Sequence, residues 1–106
     1  MDLNISAVPA PDNYVLSVAG EVDISCADRL REHIDMALEQ PCDKVSLDLA
    51  EVPYIDSTGI GVLVGAAHRA AERGRGFAVT NVQPSVLRIV QLLGVDKEIS
   101  VTGAGE

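Results

Sequence analysis

The sequence predicts a single α/β domain: a mixed sheet of four to five strands with crossover helices. Three observations carry this. Segments of period two alternate with segments of helical period. Their order, strand, strand, helix, strand, helix, strand, helix, joins the later strands through helices, as parallel neighbours require. Finally, 106 residues suit one hydrophobic core, and no repeat, charge block or linker divides them. The domain is expected to cover residues 1–106, with an ordered core over 3–101 and a flexible tail over 102–106.

Leu3, Ile5 and Ala7 alternate with Asn4 and Ser6. Pro9 to Asn13 interrupts them, and Tyr14 to Ala19 resumes with β-favouring residues, which reads as a hairpin. From Ser25 to Gln40, Ala27, Leu30, Ile34, Ala37 and Leu38 recur at helical spacing. Ser25 followed by Asp28 is a weak capping box, and Pro41 forbids continuation. Val45, Leu47 and Leu49 predict the next strand. A second helix over Ile60–Arg73 carries Ile60, Leu63, Val64, Ala67, Ala70 and Ala71 on its apolar stripe and is stopped by Gly74 and Gly76. Phe77 to Thr80 forms a short strand. Pro84 opens a helix to about Leu93, with Gly94 as its C′ residue, and Ile99 to Val101 adds a closing strand.

Charge and composition exclude several function classes. Sixteen acidic and eight basic side chains leave a net charge of −8, which opposes binding of nucleic acid or an anionic membrane. One Phe, two Tyr and no Trp provide no platform for stacked bases. The N-terminus lacks a basic region followed by an apolar one, and no run spans a bilayer, so the expected location is cytoplasmic. Cys26 and Cys42 bracket the first helix, about 20 Å apart by helical rise, which excludes a disulfide. Neither they nor His33 and His68 have metal-ligand spacing, and no metal or cofactor is expected.

The turns are more informative. Asp56, Ser57, Thr58 and Gly59 place a carboxylate and two hydroxyls between a strand and an apolar helix. Free N–H groups and the positive dipole end at such a terminus stabilise an anion, including a phosphate on Ser57. Asp56 or Ser57 can equally serve as a plain N-cap. Gly20-Glu21-Val22-Asp23 leaves another strand, and if the two strands are neighbours, Glu21, Asp23 and Asp56 form an acidic rim around Ser57. The alternative is a turn glycine, a solvated Glu and a capping Asp. Gly59, Gly61 and Gly65 imitate a dinucleotide fingerprint, but the next strand ends in Thr80-Asn81 with no carboxylate for a ribose. A phospho-receiver would need a positioned Lys, which neither Lys44 nor Lys97 supplies. Ser57 also lacks a hydrolase elbow.

Taken together, Gly20-Glu21-Val22-Asp23, Asp48-Leu49 and Asp56-Ser57-Thr58-Gly59-Ile60-Gly61 resemble a stand-alone STAS domain of the bacterial anti-sigma factor antagonists. The likeness extends through Ala27-Asp28-Arg29-Leu30, Asn81 to Val86 and Leu92-Leu93-Gly94-Val95. The resemblance implies partner switching. The unphosphorylated antagonist captures an anti-sigma factor, freeing a sigma factor. That anti-sigma factor is a serine kinase, which phosphorylates Ser57, and a serine phosphatase reverses the step. ATP then belongs to the partner, and the chain itself is no enzyme. A STAS module of another phosphorelay or a stressosome-like assembly is the alternative, ahead of a nucleotide-binding or phospho-receiver domain. Helical geometry places Thr58, Gly61, Val62, Gly65 and Arg69 on one docking side, with Glu21 and Asp23 on the neighbouring loop; the glycines could instead serve tight helix-to-sheet packing. Cys26 stands where such sequences often carry Thr or another small polar residue.

Overall fold

A computed structural model describes residues 3–103. The elements are β1 (Asn4–Val8), β2 (Tyr14–Ala19), α1 (Ala27–Leu38), β3 (Lys44–Glu51), α2 (Ser57–Glu72), β4 (Gly76–Val82), α3 (Pro84–Leu92), a 3₁₀ turn (Val95–Lys97) and β5 (Ser100–Gly103). They form one five-stranded sheet in the order β1-β2-β3-β4-β5. β1 is antiparallel to β2, and the remaining pairs are parallel, so the sheet is mixed as expected.

Register explains how the alternating pattern becomes a core. Leu16 lies opposite Leu47, Leu47 opposite Val79, and Val79 opposite Val101, while Ser17, Asp48 and Thr80 align in the adjacent row. Successive strand residues point to opposite faces. Leu16, Val18, Val45, Leu47, Leu49 and Val79 are therefore buried together on one face, and the more polar row lies on the other. The three parallel connections all step the same way across the sheet, so right-handed crossovers lay α1, α2 and α3 over the apolar face. Leu30 and Ile34 of α1, Leu63 and Ala66 of α2, and Val86 and Val90 of α3 are buried. Ser46 is the buried polar side chain among the described residues, and its hydroxyl donates to Asn13 Oδ1 at 2.8 Å. No described helix is long and apolar enough to cross a membrane.

Several boundaries differ from the sequence expectation. α1 begins at Ala27, with Cys26 at its N-cap position. Ser25 does not cap it, because its N–H and hydroxyl both turn back to Asp23 Oδ1. α2 begins at Ser57, three residues before the expected Ile60, since Asp56 supplies a cap that hydrophobic periodicity cannot register. β5 includes Thr102 and Gly103, two residues assigned above to the tail; residues 104–106 lie outside the described residues. The stops agree better: Gly74 and Gly94 have φ of +69° and +72°, the left-handed conformation of a C′ glycine.

The parallel pairing of β2 with β3 brings the chain ends that leave them side by side. Gly20 N–H donates to the Glu51 carbonyl, Val22 N–H to the Tyr54 carbonyl and Asp56 N–H to the Val22 carbonyl, each at 3.0 Å. Val22 and Ile55 form a parallel bridge and are 0% and 1% exposed. Gly59 of α2 sits directly against them. A Cβ there would lie 2.6 Å from Ile55 Cγ1 and 2.7 Å from Val22 Cγ1, whereas one at Gly61 would meet nothing within 4 Å.

These surroundings predict opposite outcomes for the same substitution. Gly59→Ala should cost about 1–3 kcal/mol, because two buried branched side chains cannot retreat. Gly61→Ala, inside a helix with open space, should gain up to about 1 kcal/mol. Urea unfolding midpoints of the two variants check both. Leu47→Ala, at the centre of the sheet, should cost about 2–5 kcal/mol on the same measurement.

Candidate functional site

Asp56 organises the site. Its backbone is extended, with φ −93° and ψ −179°, as suits an N-cap. Oδ1 accepts the Gly59 N–H at 2.9 Å, and its main-chain oxygen accepts the Ile60 N–H at 3.0 Å. Oδ2 accepts the Ile24 N–H at 3.2 Å from the other loop. One carboxylate thus caps α2 and ties the loop after β2 to it. The capping role that sequence left open between Asp56 and Ser57 belongs to Asp56.

Ser57 is the first residue of α2, and both it and Thr58 are exposed. Neither side chain makes a hydrogen bond with another described residue. In a helix, the N–H groups of these two positions have no intrahelical acceptor. The Ser57 hydroxyl therefore stands in solvent at the positive end of a helix of 16 residues, with space for added oxygens and a field that favours them.

The neighbouring loop is held from within. Asp23 Oδ1 accepts the Ser25 N–H at 2.9 Å and also its hydroxyl. The hydroxyl bond, followed by the backbone bond, holds the Asp23 carboxyl below the usual aspartate range. The stabilisation from a lowered carboxyl is present above its ordinary pKa and fades as pH falls through the lowered one. Cys26 Sγ lies 3.4 Å from the Glu21 carbonyl and 3.5 Å from the Asp23 carbonyl. The thiol thus acts as a weak donor within the loop, in place of a small polar side chain. Glu21 is exposed, and the Val22–Ile55 bridge lays the Glu21–Asp23 segment alongside the one that ends in Asp56.

The five residues expected on one side of α2 do not stay together. Thr58 and Gly61 are exposed and Gly65 is half-buried. Val62 is 8% exposed and belongs to the core, so it presents little surface of its own. Arg69 is committed to α1: its Nε donates to Asp35 Oδ1 at 2.7 Å, and its Nη1 would lie 3.1 Å from a Cβ at Gly65. The reason is the width of the buried face. α2 packs on β4 and also on α1, so burial takes in Gly59, Val62 and Ala66 beside Ile60, Leu63 and Ala70, while Val64 and Ala67 of the expected stripe are half-buried and Ala71 is exposed. Open space around Gly61 also removes tight sheet packing as the reason for that glycine.

Other readings lose their geometry. Gly61 and Gly65 lie inside α2 and form no loop that could cradle a phosphate. Lys44 opens β3 at the end of the sheet away from Asp56. Two surface concavities, of about 340 and 530 Å³, are lined by Pro9, Pro11, Tyr14 and Pro41 and by Asp12, Cys42, Asp43 and Arg75; neither includes a residue of the site. Both cysteines are free. Ile24 and Tyr54, 76% and 46% exposed beside the site, went unnoticed in sequence, where periodicity carries no signal for single apolar residues in loops.

The STAS domain family model matches residues 4–104. The anti-sigma-B factor antagonist of Bacillus subtilis (strain 168) is 28% identical over 106 residues, covering 100% of this chain and 96% of that protein. The anti-sigma F factor antagonist of Paenibacillus polymyxa is 30% identical over 98 residues, covering 92% of this chain and 84% of that protein. Among solved structures, an anti-sigma factor antagonist from Mycobacterium paratuberculosis superposes with a TM-score of 0.85 at 24% identity, covering 95% of this chain and 86% of that one. With the matched region running from the first strand to the last and the Asp56-Ser57-Thr58-Gly59 turn at its helix mouth, the chain belongs to the STAS domain family.

Proposed function

We propose that this protein is an anti-sigma factor antagonist that works by partner switching in the cytoplasm. Its unphosphorylated form binds an anti-sigma factor with serine kinase activity and releases a sigma factor. Phosphorylation of Ser57 by that kinase ends the binding, and a serine phosphatase restores it. The whole chain acts as one STAS domain and is a substrate and ligand, not an enzyme; ATP is held by the kinase. The net charge of −8 disfavours nucleic acid and anionic membrane as partners. The names of the two relatives support the reading.

The observation that carries the proposal is the exposed Ser57 hydroxyl, free of the capping duty that Asp56 performs. Phosphorylation adds a charge of about −1.5 to −2 and strong acceptor oxygens. The helix terminus accommodates these within the fold. On the docking face, however, the phosphate stands beside Asp56 and near Asp23 and Glu21, in an environment already negative. A partner closing over it must strip water from a dianion and accept further like charge, so the penalty falls on the complex. Thr58 and Gly61 continue the contact along α2, Gly61 because its open surface permits close approach.

Four outcomes follow. In the presence of ATP and the cognate kinase, mass spectrometry should place the phosphate on Ser57. Ser57→Ala should abolish that modification while keeping affinity, and Ser57→Asp should weaken binding by about 3 kcal/mol, more than 100-fold in Kd. Full modification of Ser57→Ala would overturn the assignment. Gly61→Trp should fold normally, as its site is open, yet weaken partner binding measured by calorimetry; unchanged affinity would remove this stretch of α2 from the interface.

A further inference from the structure

Two large apolar side chains stand in solvent on the segments that meet at Asp56, the residue before Ser57. Ile24 is 76% exposed and Tyr54 46% exposed. Their segments are joined, since Val22 N–H donates to the Tyr54 carbonyl and Ile24 N–H is held by Asp56 Oδ2 at 3.2 Å. The turn that follows Ile24 is closed by Ser25 on Asp23 Oδ1 and by Cys26 N–H on the Asp23 carbonyl at 3.1 Å. Ile24 is thus presented to water by a backbone fixed on both sides. Val22 and Ile55 beneath are sealed, and Ile24 lies outside the core they belong to. Apolar side chains exposed to water, on segments that also carry Glu21, Asp23 and Asp56, have the make-up of an interface centre with a polar rim. Fixing the backbone of Ile24 in advance also lowers the ordering cost of binding.

We infer that Ile24, with Tyr54 on the joined segment, is the apolar anchor by which the anti-sigma factor docks, and that the partner receives it in an apolar pocket rimmed by Lys or Arg. This rests on the reading above and adds the contact that supplies affinity, Ser57 supplying the switch. Charge selects the occupant. The acidic border, in a chain of net charge −8, repels a second copy presenting the same face and complements a basic rim. Asp56 makes the two functions neighbours, with Oδ1 in the first turn of Ser57's helix and Oδ2 on the backbone of the anchor. A phosphate on Ser57 therefore arrives at the edge of the surface that must be dried when Ile24 is buried.

The test titrates each serine-kinase anti-sigma factor of the source organism, purified, against the full chain and its Ile24→Ser, Tyr54→Ser, Val8→Ser and Ser57→Asp variants. Both Kd and the kinetics of Ser57 phosphorylation are read. Val8 is the control, 60% exposed at the opposite end of the sheet. Ile24→Ser should raise Kd roughly 10- to 100-fold, as loss of a central anchor does, and raise the KM for phosphorylation with kcat nearly unchanged. Tyr54→Ser should show a smaller rise and Val8→Ser none, with thermal midpoints preserved throughout. Ile24→Ala gives the same comparison should the serine loosen the turn. Normal affinity for the Ile24 and Tyr54 variants, alongside lost affinity for Ser57→Asp, would overturn the anchor and leave the switch standing. Wild-type affinity for Ser57→Asp, or no binding of the native chain by any of these kinases, would overturn the functional reading itself.

Discussion

The structure turns on one carboxylate serving two loops. Asp56 caps α2 through Oδ1 and holds the backbone of Ile24 through Oδ2. Each bond is an ordinary charge-assisted contact, but together they make the mouth of a helix and the end of a neighbouring strand one rigid surface. The Val22–Ile55 bridge beneath, with its reciprocal backbone bonds, fixes the spacing. Gly59 completes the arrangement, because only a residue without a Cβ lets α2 start so close to those two side chains.

This division of labour leaves Ser57 available. A residue that caps its own helix must keep its oxygen on a backbone N–H, and modifying it would break the cap. Here the preceding residue takes that task, so the proposed phosphate on Ser57 would leave the capping bonds beneath it in place. The consequences of such a charge are then felt on the outside, where acidic neighbours and exposed apolar side chains share the same end of the sheet. A switch built this way acts on association without having to remodel the domain.

The other face of α2 has a different role. Its buried surface is broad because it meets both β4 and α1, and Arg69 locks it to Asp35 of α1. The small residues of this helix are thus of two kinds. Gly59, Ala66 and Ala70 allow close packing inward, whereas Gly61 leaves a bare surface outward.

Much of this was legible from local chemistry. The two-residue alternation marked the strands, the helical repeat of Leu30, Ile34 and Leu38 marked the first helix, and Gly74 and Gly94 marked the ends of α2 and α3. Each is a property of neighbouring residues, so the chain order carries it directly. The motif around Ser57 was readable too, though not which residue caps and which is free. Local pattern failed for the start of α2, for the burial of Val62 and for the pairing of Arg69 with Asp35. In α2 small apolar residues occur all round, and such a helix has no single stripe until its neighbours are in place. The sequence by itself determined a one-domain α/β fold with a hydroxyl at a helix mouth. Only the tertiary structure decided that β2 and β3 are adjacent, that Asp56 spans their loops and that Ile24 and Tyr54 stand exposed beside Ser57. Those facts depend on strand pairing and helix packing between segments some 30 residues apart in the chain, which no local periodicity encodes.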